Sequence, residues 1–392
     1  MKIVAPERAA SRKVKMKNRP KHSSLAPLLM GAVALVALGA CQQMSNLGTA
    51  VSKDPAAAAQ GVPTLASADT DMASALLALQ ALGPKPIETL SAPEARKQPT
   101  LGDAVKKLLQ DDGQSTAPEA VASVRNVSIP GPGGSQPARI YVPGAARSPL
   151  PVIVYYHGGG WVIADLDTYD ASARALANQS GAIVLSAEYR KGPESKFPAA
   201  HEDALTAYRW AQANASQFGG DPNRIAVAGE SAGGNMAIGV SRMAKEQGLR
   251  PPVHQALIYP VAGNDMNTES YQENENAKPL NKAMMGWFFD KYLRNPRDGN
   301  NPLINVVDAP DLAGLPPTTI VTAEIDPLRS EGQLLAQRLR NAGVEVASNN
   351  YEGVTHEFFG AAPVVEKAKE AQAYVASRLR EAFVGGSAGS GS

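Results

Sequence analysis

Cysteine is almost absent: the 392 residues contain one, Cys41. A disulfide framework within the chain, or a thiolate-bound zinc or iron–sulfur cluster, needs several sulfurs and is excluded. Net charge is nearly absent as well. Thirty-eight Lys and Arg stand against 37 Asp and Glu, a formal +1, so there is no global field to grip nucleic acid, and no such partner is expected. Charged residues make up only 19% of the chain against 44% hydrophobic ones, which excludes a disordered chain overall and allows a large core. A long hydrophobic run is also missing. The uncharged stretch Leu25 to Ala40 has 16 residues, short of the roughly 20 that cross a bilayer as a helix.

That stretch nevertheless sits in a telling place. Residues 1–22 hold eight basic side chains and one acid, so a basic region precedes an apolar one, the layout of a secretory signal. It ends in Leu38-Gly39-Ala40-Cys41, which resembles the bacterial lipobox, where a small residue precedes the cysteine that takes up diacylglycerol. The sequence therefore predicts a lipoprotein signal over 1–40, lipidation at Cys41, and a partner in the membrane reached through that lipid. Gln42 follows the cysteine in place of the Asp that retains lipoproteins in the inner membrane, which points to the outer membrane of a bacterial envelope. Met16 would open a more ordinary signal, with Lys17, Arg19 and Lys21 as its basic region. An ordinary signal with a chance cysteine is the plainer alternative. Residues 41–68 carry little charge and no periodicity and are expected to form a flexible tether. At the other end, 385–392 is a Gly/Ser tail of the flexible kind.

Between these ends the grammar is that of a folded domain. Met72, Ala75, Leu76, Leu79 and Leu82 recur at helical spacing, as do the apolar residues of Leu101 to Leu109, and each set closes at a breaker. From about residue 121, short β-branched runs alternate with longer helical patterns. Strands are predicted at Val124–Ile129, Arg139–Val142, Val152–Tyr156, Ile183–Ser186, Ile225–Ala228, Ala256–Tyr259, Thr318–Thr322 and Val344–Ala347. Helices are predicted at Asp170–Ser180, His201–Gln212, Asn235–Gln247 and Ser330–Ala342. Strand and helix in alternation imply an α/β fold, a mostly parallel sheet covered on both faces.

Two glycine motifs carry chemistry. Gly229-Glu230-Ser231-Ala232-Gly233 lies between a predicted strand and a predicted helix, where a tight turn projects a serine hydroxyl at the carboxyl edge of the sheet. A plain glycine turn is the bland alternative. His157-Gly158-Gly159-Gly160-Trp161 follows an earlier strand, and its glycines leave backbone N–H groups unshielded. Donors of Gly158, Gly159 and Gly160, with that of Ala232, suit a developing oxyanion. Phosphate cradling would need a following Lys-Ser or Lys-Thr, which is lacking.

A nucleophilic serine needs a base, and there are only five histidines. His22 lies in the signal, His157 belongs to the glycine motif, and His201 and His254 precede any acid in the expected order. His356 remains, behind the acid candidates Glu324 and Asp326. The order serine, acid, histidine is that of α/β-hydrolases.

With these residues in view, the chain resembles the hormone-sensitive-lipase family of α/β-hydrolases, the bacterial esterases with a His-Gly-Gly-Gly motif. The likeness covers most of 120–380 and includes Tyr189-Arg190, Phe197-Pro198-Ala199-Ala200, Phe218-Gly219-Gly220-Asp221-Pro222, Leu257-Ile258-Tyr259-Pro260 and Ala323-Glu324-Ile325-Asp326-Pro327-Leu328-Arg329. The resemblance implies that Asp326, before Pro-Leu, is the acid of the triad. It also implies that helices in 69–120 and an insertion near 264–301 form a cap, with Trp287, Phe288 and Phe289 lining or bracing it, over a hydrolase domain of 121–384. Two positions depart from the family pattern: Glu230 stands where Asp or Thr is usual, and Glu357 where a small residue follows the histidine.

The expectation is a serine carboxylesterase acting on short-chain acyl esters, a small-molecule substrate, through Ser231, His356 and Asp326, with no cofactor and no metal. Lactones, amides or polymer-derived oligoesters are the alternative substrates. Gibberellin receptors bind ligand on the same fold without turnover, and a non-catalytic binding protein or a lipid-anchored envelope scaffold is the alternative of another class. The sequence is silent on oligomeric state.

Overall fold

The computed structural model describes residues 63–144 and 149–385. Cys41, the basic segment before it and residues 386–392 lie outside the described residues. Eight strands form one sheet in the order β1-β2-β4-β3-β5-β6-β7-β8. They are β1 (Ser123–Gly131), β2 (Gly134–Val142), β3 (Leu150–Tyr156), β4 (Ile183–Ala187), β5 (Gly220–Glu230), β6 (Gln255–Ile258), β7 (Thr318–Ile325) and β8 (Val346–Thr355). β1 and β2 pair antiparallel, as do β2 and β4. Every other pairing is parallel, so the carboxyl ends of β3 through β8 share one edge.

The inner strands are apolar on both faces because both faces are covered. Along β3, Val152, Val154 and Tyr156 enter one core while Ile153 and Tyr155 enter the other. The longer helices are α1 (Thr70–Ala81), α2 (Leu101–Asp111), α3 (Asp170–Ser180), α4 (Ala199–Asn214), α5 (Ala232–Glu246), α6 (Lys282–Tyr292), α7 (Arg329–Asn341) and α8 (Glu366–Gly385). Helices α4, α5, α6 and α7 bury their apolar stripes in the first core, and α1, α2, α3 and α8 do so in the second. The helix α2 starts at a reciprocal cap, Thr100 accepting from the Asp103 N–H while the Asp103 carboxylate accepts from Thr100.

Helix α3 and the positions of the strands match the sequence reading, with differences mostly at the ends. The largest difference is β8. The sequence suggested Val344–Ala347, but the strand runs to Thr355 through Ser348, Asn349 and Asn350, which are exposed. An edge strand tolerates polar residues facing water, and a run of asparagine then reads as a turn. A second correction falls on the expected tether of 41–68. Residues Pro63–Ser67 form a helical turn with Leu65 buried, fixed by packing that composition cannot display. Helix α8 had no counterpart in the sequence reading, and its last residue, Gly385, was expected to open the tail.

Candidate active site

Four strands deliver the site. The glycine motif follows β3, Ser231 follows β5, Asp326 follows β7 and His356 follows β8, so parallel pairing brings residues up to 199 positions apart to one edge. The last register pair of β7 and β8 is Ile325 with Thr355, and Asp326 and His356 are the residues immediately beyond it.

Ser231 sits between β5 and α5 with φ 57° and ψ −120°, a conformation that strains any residue with a Cβ. Neighbouring glycines make the turn sterically feasible. A Cβ on Gly233 would lie 2.0 Å from the carbonyl oxygen of Tyr156, so α5 approaches β3 more closely than any other residue permits. The Ser231 N–H donates to the Ile258 carbonyl at 2.9 Å, and its own carbonyl accepts from Val261 at 3.1 Å.

His356 is buried, with Nε2 2.9 Å from Ser231 Oγ and Nδ1 2.7 Å from Asp326 Oδ2. Asp326 is itself held by the Leu328 N–H, which donates to Oδ1 at 2.9 Å. Burial pushes the imidazole pKa down, but the Asp326 carboxylate, aided by Glu357 and Glu230, outweighs it and raises His356 above its ordinary value. The other described histidines are committed elsewhere. Nε2 of His157 meets Glu188 at 2.9 Å, and its ring stacks on Tyr189. His201 lies between Tyr292 and Asn235, and His254 faces Thr319. Burial drives both His201 and His254 down to about 4, so they stay neutral. Glu324, the competing acid, accepts the Gly353 N–H at 2.7 Å and lies outside this arrangement.

Ser231 and His356 open into a cavity of about 500 Å³. Gly159 and Gly160 line it, both with positive φ, and a Cβ on Gly160 would strike the Phe288 ring at 2.2 Å. Gly158 is set behind them, against the Tyr169 hydroxyl. Ala232 is the buried first residue of α5, where a helix leaves its N–H without an intrahelical acceptor. The walls come from the two segments expected to form a cap: Leu76, Leu79 and Ile87 on one side, Met284, Met285 and Phe288 of α6 on the other. Trp287 faces away from the cavity and donates from Nε1 to the Leu90 carbonyl at 3.2 Å, tying the segments together. Phe289 packs toward Trp161. Among the described residues, no group of three or more His, Cys, Asp or Glu is placed to hold a metal ion.

Sequence reasoning missed the residues behind this arrangement, chiefly Tyr155 and Tyr259, whose hydroxyls reach Glu230. Tyr259 has φ 36° and leaves β6 at that point, a departure that strand periodicity cannot reveal.

A serine raised on a strand-to-helix elbow, with its histidine and aspartate supplied by later strands of a doubly covered parallel sheet, defines the α/β-hydrolase class. The comparisons agree: residues 153–360 match a family model described as the alpha/beta hydrolase fold, and the chain belongs to that family. It is 42% identical over 250 residues to the carboxylesterase NlhH of Mycobacterium tuberculosis, across 63% of this chain and 78% of that protein. The esterase LipI of the same organism is 40% identical over 275 residues, 69% of this chain and 85% of its own length. The solved structure of an esterase from Pyrobaculum calidifontis superposes with a TM-score of 0.70 at 37% identity, covering 78% of this chain and 97% of that one. A thermostable esterase from Pseudomonas putida gives 0.72 at 32% identity, covering 81% and 98%.

Proposed function

We propose that the protein is a serine carboxylesterase that hydrolyses short-chain acyl esters through an acyl-enzyme. The observation that carries this is the continuous chain from Ser231 Oγ through His356 to Asp326 at the floor of an apolar cavity. His356 takes the serine proton as Oγ attacks the ester carbonyl, then returns it to the leaving alcohol, and Asp326 orients the imidazole and stabilises its cation. Water, activated in the same way, releases the acid. Backbone N–H groups of Gly159, Gly160 and Ala232 receive the oxyanion, each such donor being worth roughly 3 kcal/mol in the transition state; Gly158 backs them. The walls that the two cap segments raise around the cavity support a preference for short acyl groups. With a panel of p-nitrophenyl esters, turnover should peak at two to six acyl carbons, and Ser231→Ala should leave at most the roughly 10³- to 10⁴-fold acceleration over water that a triad-less site retains. Wild-type turnover in that variant, or a preference for twelve carbons and more, overturns the reading.

The protein is further proposed to be held on the bacterial envelope, at the outer membrane, by lipid on Cys41. This rests on the sole cysteine following a basic and then an uncharged segment, and on the stable anchoring that several acyl chains give where one does not. Among the described residues no helix is long and apolar enough to cross a membrane. Cys41→Ser should block lipidation and normal processing, leaving either uncleaved precursor or released soluble enzyme; equal detergent partitioning of the two forms counts against the anchor.

A further inference from the structure

The residue before the nucleophile is a buried glutamate whose carboxylate the mechanism above does not use. Strand β5 lies between β3 and β6, and Glu230, its last residue, is placed to reach both neighbours. In register, Tyr155 of β3 pairs with Ala228, and Ile258 of β6 pairs with Glu230. The side chains of Tyr155, Ala228 and Ile258 share one core, and Tyr259, where the chain leaves β6 with φ 36°, turns into that core as well. The Tyr155 hydroxyl donates to Oε1 of Glu230, and the Tyr259 hydroxyl donates to Oε2. All three side chains are buried. A carboxylate is the one side chain that accepts from two hydroxyl donors at once without carrying a donor of its own.

The far side of Tyr259 faces the base: its ring centroid lies 4.6 Å from that of His356. The backbone of the same segment carries the nucleophile, since Ile258 accepts the Ser231 N–H and Val261 donates to the Ser231 carbonyl. One short segment, residues 258–261, thus holds the backbone of the nucleophile and touches the ring of the base, and Glu230 anchors it.

We infer that Glu230 is a positioning residue: by bridging Tyr155 and Tyr259 across the nucleophile strand, it holds the strained elbow of Ser231 and the imidazole of His356 in reacting register. Burial and the nearby Glu230 carboxylate push both tyrosine hydroxyls well above the ordinary tyrosine range, so they remain donors at any pH at which the enzyme works. Aspartate in the same place is one methylene shorter and cannot span the two hydroxyls from the same backbone position.

This inference rests on the esterase reading, and the experiment separates the two. Tyr259→Phe keeps the ring against His356 and removes only the hydroxyl, while Glu230→Gln keeps the volume, removes the charge and puts an N–H donor where one acceptor oxygen stood. With p-nitrophenyl butyrate, each variant should show kcat about tenfold lower with KM within about twofold, the pattern of an interaction lost in the transition state alone. The double variant should be no slower than the worse single one, because the bond that Tyr259→Phe removes is one of the two that Glu230→Gln already disturbs. Glu230→Asp should fail to restore kcat. Circular dichroism and the thermal midpoint identify a variant that has lost its fold; should Glu230→Gln do so, Tyr259→Phe and Tyr155→Phe carry the same kcat and KM test. Folded variants with wild-type kcat, additive losses in the double variant, or full rescue by aspartate overturn the bridge. If Ser231→Ala is inactive in the same assay, such a result leaves the esterase reading standing; if Ser231→Ala is active, that reading falls first.

Discussion

Two carboxylates compete in the sequence for the role of acid, and they should separate cleanly on mutation. Asp326 contacts Nδ1 of His356 at 2.7 Å, whereas Glu324 is spent on the Gly353 N–H. Asp326→Asn should lower kcat by about 10⁴, since the amide holds the wrong tautomer, while Glu324→Gln should stay within about tenfold; kinetics on one short ester rank the pair. Glu357, half-buried at the cavity wall, has its own carboxyl raised by burial and adds its charge to those of Asp326 and Glu230 in raising His356. The esterase needs neutral imidazole, so activity rises as pH climbs through the His356 pKa. Removing a nearby negative charge lowers that pKa. Glu357→Gln should therefore shift the acid limb of the kcat/KM profile to lower pH, with kcat on the alkaline plateau within about threefold of wild type. An unmoved limb would show that Glu357 carries no charge in the free enzyme.

Among the elements, α6 has the most direct say in substrate size. Its Phe288 ring packs against Gly160, beside the proposed oxyanion donors. Met284 and Met285 extend the same wall, and methionine adapts its shape to what it meets. Phe288→Ala should raise kcat/KM for an octanoyl ester relative to a butyryl ester by about tenfold, the scale of one to three kcal/mol available from filling or emptying an apolar pocket. A parallel change for both esters would instead place Phe288 in bracing the cap. The contrast with Trp287 is instructive, because adjacent aromatics on one helix divide the work: one lines the cavity, the other bonds the Leu90 carbonyl of the opposing segment.

At the scale of the molecule, a buried acid couples stability to pH. Glu331 of α7 accepts the N–H groups of Ala262 and Gly263 with one oxygen, and burial lifts its carboxyl to about 8. In the unfolded chain the same group titrates near 4.5. The folded state thus holds a proton that the unfolded state has lost across that interval, and stability from this group is complete below 4.5 and falls as pH rises to about 8. Glutamine keeps the accepting oxygen and has no proton to lose. Glu331→Gln should stabilise the protein by on the order of 1–3 kcal/mol at pH 8 to 9 and leave it unchanged at pH 4, as chemical denaturation at the two pH values would show.

Much of this was legible in the order of residues. Alternating strand and helix periods determine the covered parallel sheet, and the strand-to-helix context of Ser231, the glycines after β3 and the elimination of the other histidines determine His356 as its partner. Local chemistry sufficed there, because glycines at a tight turn and apolar runs of set length act through the backbone next to them. Two things had no local signature. The length of β8 depends on its position at the sheet edge, where Asn349 and Asn350 face water, and the helical turn at Pro63–Ser67 depends on the burial of Leu65 in the second core. The Glu230 bridge is of the same kind: its donors come from strands on either side, 75 residues back and 29 residues on. Hydrogen bonds of that separation exist only once the sheet order is set, and sheet order arises from the burial of whole faces, which is a property of the assembled chain.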